Sequence, residues 1–228
     1  MILRSWEELP DNMKNPAVRP YYDKLNAKKC GLACKRIFDF AVSLIMLIVL
    51  SPLFLILALA IKLDSPGPVF YRQKRITQYG REFYIHKFRT MVVNADKMGT
   101  QVTVGKDPRI TKTGRILRKC RLDELPQLID IIAGNMSFVG TRPEVPQYVD
   151  AYTDEMMATL LLPAGVTSEA SIRYKDEAEL LERAEDIDKT YVEEILPEKM
   201  KYNLKSITDF SFFGELGIML RTVTAVLK

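Results

Sequence analysis

Residues 40–61 read FAVSLIMLIVLSPLFLILALAI, and how this stretch folds decides the rest of the chain. It runs 22 residues without a charge, interrupted only by Ser43, Ser51 and Pro52. At a rise of about 1.5 Å per residue, a helix of this length reaches across a hydrocarbon layer of about 30 Å. A buried helix of a soluble core is the alternative, and the uniformity of the run weighs against it. Pro52 lacks a backbone N–H and its ring collides with the carbonyl of Ile48, so a kink is expected at Ser51-Pro52. Two topologies follow. Either a kinked helix spans, since proline is tolerated in such helices, or the two halves bend back to the side they came from. Cytoplasmic flanks collect Lys and Arg. Here Lys24, Lys28, Lys29, Lys35 and Arg36 precede the run, and Lys62, Arg72, Lys74 and Arg75 follow it. A re-entrant helix satisfies both flanks at once; the residues alone leave both forms open. Ala58-Leu59-Ala60 superficially resembles a cleavage site, but the run begins 39 residues in and exceeds the roughly 7–15 apolar residues of a signal peptide. It is read as retained.

Around this run the charges divide. Residues 1–121 carry 23 Lys and Arg against 9 Asp and Glu, and residues 122–228 carry 10 against 20, although the whole chain has a net charge of only +4. A basic half that contains the apolar run suits anionic lipid headgroups and phosphorylated substrates. Nucleic acid is excluded as a partner because it does not account for the adjoining hydrocarbon-length run. Cys30, Cys34 and Cys120 make no disulfide framework, and with His86 the only histidine and distant from them, unpaired thiols are expected rather than a metal site. His86 reads as a packed or hydrogen-bonded structural residue.

Three segments follow: residues 1–36 are polar, 37–62 form the membrane helix, and 63–228 form one mixed domain. In the first, Pro10, Pro16 and Pro20 break any long helix, and Trp6, Tyr21 and Tyr22 suit a membrane interface. In the last, 68–76 and 82–91 are rich in β-branched and aromatic residues around Gln78-Tyr79-Gly80, which predicts a hairpin. Leu125, Leu128, Ile129 and Ile132 fall at helical spacing with Gly134 as a stop. An acidic helix is expected over about 176–194 and a terminal one over 212–227. The fold class is therefore α+β and largely helical, with one short hairpin.

The dense polar constellation lies around Arg118, Arg121, Asp123, Glu124 and Arg142, with Lys87 and Arg89 on the expected hairpin. Adjacent acids at a helix start usually serve as caps. Their neighbours point further: carboxylates that bind a divalent cation, ringed by phosphate-seeking arginines, suit phosphoryl transfer to or from a diphosphate.

Four stretches carry a resemblance: RLDELPQL (121–128), GNMSFVGTRPE (134–144), KFRTM (87–91) and DPRITKTGRILR (107–118). Together they strongly resemble the bacterial sugar transferases of the small monotopic phosphoglycosyl transferase type, in the same order along the chain and over about residues 35–228. The resemblance implies a re-entrant helix broken at Ser51 and Pro52, monotopic in the bacterial cytoplasmic (inner) membrane, with a helical catalytic domain on the cytosolic face. It implies that Asp123 is the nucleophile on the sugar-linked phosphorus of a UDP-sugar, releasing UMP, and that polyprenol (undecaprenyl) phosphate then takes the sugar phosphate. It further implies that Glu124 assists through the metal or by handling a proton. Mg²⁺ would bind at Asp123, and Lys87, Arg118, Arg142 and Pro143 would contact phosphates or shape the site. The implied partners are the UDP-sugar, the polyprenol phosphate and the lipid bilayer, with a homodimer left open. Thr141, Ala164 and Ser168 depart from the residues usual in the family, at places tied to sugar and uridine contacts. Two rival readings stand beside this one: a Mg²⁺-dependent nucleotide-sugar hydrolase, and a non-enzymatic lipid-anchored scaffold.

Overall fold

The structure is a computed structural model and describes residues 3–95, 98, 107–181, 184 and 186–227. It begins with α1 (Arg19–Asn26), α2 (Lys29–Val49) and α3 (Ser51–Asp64). Among the described residues no single helix is long and apolar enough to cross a membrane; α2 and α3 together are, but they meet at a 62° bend. The reason lies in two residues. Pro52 cannot donate to Ile48, and the Ser51 hydroxyl donates to that carbonyl instead, at 2.8 Å. The break thus leaves no orphaned acceptor at the bend. One face of the pair, with Val42, Met46, Leu47, Leu50 and Phe54, packs on the body of the protein. The other, with Ile37, Ile45, Ile48, Val49, Leu55, Ile56, Leu59 and Leu63, is exposed. Contiguous exposure of this kind marks a surface that meets something apolar.

Two residues of the expected basic flank turn inward. Arg36 donates to the carbonyls of Ile131 and Ile132 at 2.6 and 3.0 Å. Lys35 is buried, holds both Asp39 oxygens at 3.0–3.1 Å and pairs with Glu215 at 2.8 Å. Asp39 also accepts from Ser137 at 2.7 Å. Burial pushes the Glu215 carboxyl up to about 7, against the pull of Lys35. These cations serve packing. The N-terminal stretch packs on the body of the protein. Leu3, Leu9, Met13, Val18 and Tyr22 are buried against Ala158, Leu161, Leu204 and Phe210, and Trp6 stacks edge-on to Tyr22.

The hairpin forms as β1 (Phe70–Ile76) and β2 (Glu82–Phe88), antiparallel with Phe70 opposite Phe88. Its open end is shorter than the sequence pattern, although the Arg89 N–H still donates across to the Val69 carbonyl at 2.9 Å. Then come α4 (Lys112–Lys119), α5 (Gln127–Ile132), β3 (Met136–Val139), α6 (Pro146–Val149), β4 (Ala164–Thr167) and α7 (Glu169–Arg173). β3 and β4 pair in parallel as a second two-stranded sheet that the sequence pattern did not indicate. Gly134 ends α5 in a left-handed conformation, as its position suggested. The acidic segment is not one helix. It divides into α8 (Glu177–Leu181) and α9 (Ile187–Thr190), continues through a π-turn at Tyr191–Ile195 and enters α10 (Leu196–Thr208). Asp186 starts a new helix there by accepting from the Lys189 N–H. Residues 182, 183 and 185 of that expectation lie outside the described residues. The terminal helix, α11 (Phe212–Leu227), forms where it was expected. Helices thus dominate over two small sheets, which gives an α+β molecule.

β3, β4, α5 and the inward face of α2 share one core built from Phe83, Ile85, Leu128, Ile131, Met136 and Phe138. Its tightest approach is between two glycines: a Cβ on Gly165 would lie 2.1 Å from the Gly140 nitrogen and 2.3 Å from its oxygen. Gly165→Ala should therefore cost about 1–3 kcal/mol through overpacking of backbone on backbone. Gly217, in α11, has nothing within 4 Å of that position. Gly217→Ala should stabilise by about 0.5–1 kcal/mol through helix propensity. Thermal unfolding of both variants in detergent checks the opposite signs; equal effects would contradict the packing.

Candidate active site

The Asp-Glu pair is presented by a sharp turn. α4 ends at Lys119, Arg121 adopts a left-handed φ of 55°, and residues Leu122–Glu124 form a single 3₁₀ turn ahead of Pro126 and α5. Among the described residues, no backbone N–H donates to either carboxylate, so the pair does not cap the helix that follows. The turn leaves both side chains free for other partners.

Glu124 takes them. Its Oε1 accepts from Lys87 Nζ at 3.0 Å and from Arg142 Nη2 at 2.8 Å. Burial alone would push the Glu124 carboxyl up, but the charges of Arg142 and Lys87 and their hydrogen bonds outweigh it and hold the group well below the carboxylate range. In return, Glu124 raises Arg142 above its ordinary value, while burial draws Lys87 below its own. Asp123 is the opposite case. Among the described residues it accepts no hydrogen bond, and burial pushes its carboxyl up despite the pull of Lys87, Arg118 and Arg121. Adjacent carboxylates thus sit in opposed environments: one is locked and ionised, the other desolvated and open to the cleft.

Each cation is aimed by a different element. Lys87 comes from the end of β2. Arg118 comes from α4 and donates its Nε to Thr90 Oγ1 at 2.9 Å. α4 can approach Thr90 because residue 114 is glycine: a Cβ there would lie 2.0 Å from the Thr90 carbonyl. The start of α4 is fixed by Thr111, whose hydroxyl accepts from Gly114 N at 3.0 Å. Asp64, at the end of α3, accepts from Thr113 N at 2.8 Å. Arg142 comes from the loop after β3, and Pro143 confines it to extended backbone. Pro143 itself is buried, with its carbonyl accepting from Arg75 Nη1 at 3.1 Å, and Ile76 N donates to the Glu144 carbonyl at 3.0 Å. The Glu144 carboxylate accepts from Tyr191 at 2.6 Å, and Lys199 joins Tyr191 to Glu177 at 3.0 and 2.7 Å.

Lys87, Arg118, Arg121, Asp123, Glu124 and Arg142 line one cleft of about 1290 Å³. Pro143 lies beneath it rather than on its wall. One residue grouped with this constellation in the sequence has other work, and His86 takes the structural role expected of it. Arg89 donates to the carbonyls of Ser65 at 2.7 Å and Ile61 at 3.4 Å and to that of Pro66, which satisfies the end of α3. His86 is held through Nδ1 and its backbone N–H by buried Asp130, at 2.8 and 2.9 Å, as a structural residue. Ser51 and Pro52 stand apart, at the helix break. Reading the sequence missed Thr90, Gly114, Arg75 and the Glu144–Tyr191–Lys199 chain. Thr90 and Gly114 lie inside the stretches already singled out, so only their partners were hidden. Of the three unusual residues, Ala164 is buried in β4, Thr141 offers its carbonyl to Gly165 N at 2.8 Å, and Ser168 caps α7. None of them lines the cleft.

Among the described residues no group of three or more His, Cys, Asp or Glu converges. A caged metal centre of protein ligands is therefore not what these residues build. A desolvated carboxylate with free oxygens, ringed by cations, fits a substrate that brings its own phosphate oxygens.

Residues 30–228 match the family model for bacterial sugar transferases. A UDP-N-acetylgalactosamine-undecaprenyl-phosphate N-acetylgalactosaminephosphotransferase of Aeromonas hydrophila is 33% identical over 196 residues, covering 85% of this chain and 43% of that protein. A UDP-glucose:undecaprenyl-phosphate glucose-1-phosphate transferase of Escherichia coli is 34% identical over 218 residues, 93% of this chain and 44% of that one. A protein of the same description from Caulobacter vibrioides is 35% identical over 196 residues, 85% of this chain and 69% of its own. The chain thus spans less than half the length of the first two relatives.

The opposed environments predict opposed effects on stability. At neutral pH, Asp123→Asn removes a charge that burial disfavours and should raise Tm. Glu124→Gln leaves two cations without their counter-ion and should cost about 2–3 kcal/mol, less than a fully buried pair because Arg142 keeps some solvent. Calorimetry of both isosteric variants decides; a lower Tm for Asp123→Asn would contradict the assigned environments.

Proposed function

The chain belongs to the bacterial sugar transferase family, and from this membership and the contrast between its two carboxylates we propose that it transfers a sugar-1-phosphate from a UDP-sugar to undecaprenyl (polyprenol) phosphate. The carrying observation is Asp123, half-buried, without a hydrogen bond among the described residues and open to a cationic cleft, beside a Glu124 whose Oε1 already accepts from both Lys87 and Arg142. A partly desolvated carboxylate with free oxygens is a competent nucleophile, and one held by two cations is a poorer one.

In the first half-reaction an Asp123 oxygen bonds to the phosphorus that bears the sugar. The bond from that phosphorus to the bridging oxygen breaks, and UMP leaves with both electrons. Arg118 and Arg142 meet the charge that gathers on the phosphate oxygens. Glu124, far below the carboxylate range, keeps Lys87 protonated and Arg142 oriented, and carries no proton itself. In the second half-reaction a phosphate oxygen of the polyprenol phosphate attacks the same phosphorus, the Asp123–phosphorus bond breaks, and the carboxylate is restored. Mg²⁺ belongs to this reading: Asp123 would help to hold it beside the substrate phosphates, and its charge would offset that of the diphosphate.

The membrane reading rests on the 62° bend, on the Ser51 hydroxyl that completes it and on the exposed apolar face of α2 and α3. We take the pair as re-entrant, entering and leaving on the cytoplasmic side of the bacterial inner membrane, with the cleft on that side.

Enzyme given UDP-sugar without acceptor should release one equivalent of UMP and gain the mass of a phospho-sugar on the peptide containing Asp123. Asp123→Asn should abolish both, and Arg142→Ala should slow turnover about tenfold or more, with Arg142→Lys rescuing it only in part. UDP as product, or full turnover by Asp123→Asn, overturns the mechanism. Continuous turnover without any acceptor would instead make the protein a hydrolase.

For topology, Cys30, Cys34 and Cys120 are exposed and free. After their replacement, single cysteines at Asn26 and Gln78 should label from the same side with an impermeant thiol reagent. Labelling from opposite sides would show a spanning helix.

A further inference from the structure

One flank of the cleft is chemically unlike the rest. Beyond the acid turn its wall is made of Met46 from α2, Leu128 from α5, Phe138 from β3, Val166 from β4, and Met219 and Val223 from α11. The two hydroxyls on this flank, Thr167 and Thr222, bond to each other at 2.7 Å, so they present no unmet polar group. Around α2 from Met46, Ile45 and Val49 are exposed. The groove therefore has a cationic end at Lys87, Arg118 and Arg142 and leads toward the apolar outer face of the bent pair.

A ligand that fits both ends has an anionic head and a long apolar tail. We propose that this groove binds the first isoprene units of the polyprenol phosphate, with α11 as its outer wall; this rests on the reaction proposed above. α11 is held in that place by charge. Glu215 pairs with Lys35 of α2 at 2.8 Å, and Arg221 pairs with Glu169 of α7 at 2.8 Å. These tethers sit on either side of Met219, one turn before it and half a turn after it. The terminal helix is thus part of acceptor recognition, and the carrier's tail runs between α2 and α11 instead of along the outer face of α3.

The test uses full-length wild-type protein in nanodiscs and farnesyl phosphate carrying a diazirine in its isoprenoid chain. Photolabelling needs no turnover, so it judges the groove separately from the reaction. Label is expected on Met46 and within 219–225, and should be competed away by unlabelled undecaprenyl phosphate. Label confined to Leu55, Ile56 and Leu59, on the exposed face of α3, overturns the proposal. In parallel, Met219→Trp fills the groove and should raise the KM for farnesyl phosphate about tenfold or more, the scale of shape discrimination in an apolar pocket. Its release of UMP without acceptor serves as the check on folding. A wild-type acceptor KM in a variant that passes this check also overturns the proposal; a variant that fails it leaves the decision to the photolabelling. Absence of UMP release in the wild type would count against the reaction and leave the groove to the labelling result.

Discussion

The double ion pair on Glu124 organises the site. Three segments far apart in sequence end on it: β2 through Lys87, the loop after β3 through Arg142, and the turn that carries the acids themselves. Charge-assisted hydrogen bonds in a desolvated setting are strong when complete and costly when broken. The consequence for Asp123 is indirect and larger than any contact of its own. Because its neighbour absorbs Lys87 and Arg142, Asp123 stays close to cations without being tied to them. The nearby cations offset part of the burial that pushes its carboxyl up, and the lack of hydrogen bonds leaves its oxygens free.

Around that pair the fold repeats one device, the use of long cationic side chains to close helix ends. Arg36 closes α5 through Ile131 and Ile132, Arg89 closes α3 through Ile61 and Ser65, and Arg75 holds Pro143. Each supplies donors to carbonyls at a helix end or in a loop, where the Ile61 and Ile131 carbonyls also accept from the Ser65 and Gly134 N–H groups. Part of the positive charge of the N-terminal half, at Lys35, Arg36, Arg75 and Arg89, is therefore used inside the molecule.

That inward use explains what could be read in advance. The break at Ser51-Pro52 was legible because its cause is local: a missing N–H and a hydroxyl next to it. The hairpin, α5 with its Gly134 stop and α11 were legible from periodicity and turn residues. The acid-arginine constellation was legible as a set, since its members recur in dense short stretches. Lys35, Arg36 and Arg89 were misjudged because nothing near them in sequence reveals partners such as Glu215 or Ile131. The β3–β4 pair escaped because four-residue strands carry too little alternation, and its Gly140–Gly165 contact joins segments 25 residues apart. The acidic segment was misjudged for a third reason: Asp186 competes for a backbone N–H and restarts the helix.

Lys87, Arg89 and Thr90 lie within four residues of one strand end, yet they face three clients: the acid turn, the last carbonyls of α3 and the guanidinium of Arg118. The spacing between the bent helix pair and the reaction centre is thereby set by bond lengths, not by a deformable interface. On the reading proposed here, a bilayer that thins, thickens or curves under the protein would carry the centre up or down as one piece with α3. The height of the cleft above the lipid would then track how deep the bent pair sits, and lipid chain length would become a variable of catalysis even with every catalytic contact unchanged.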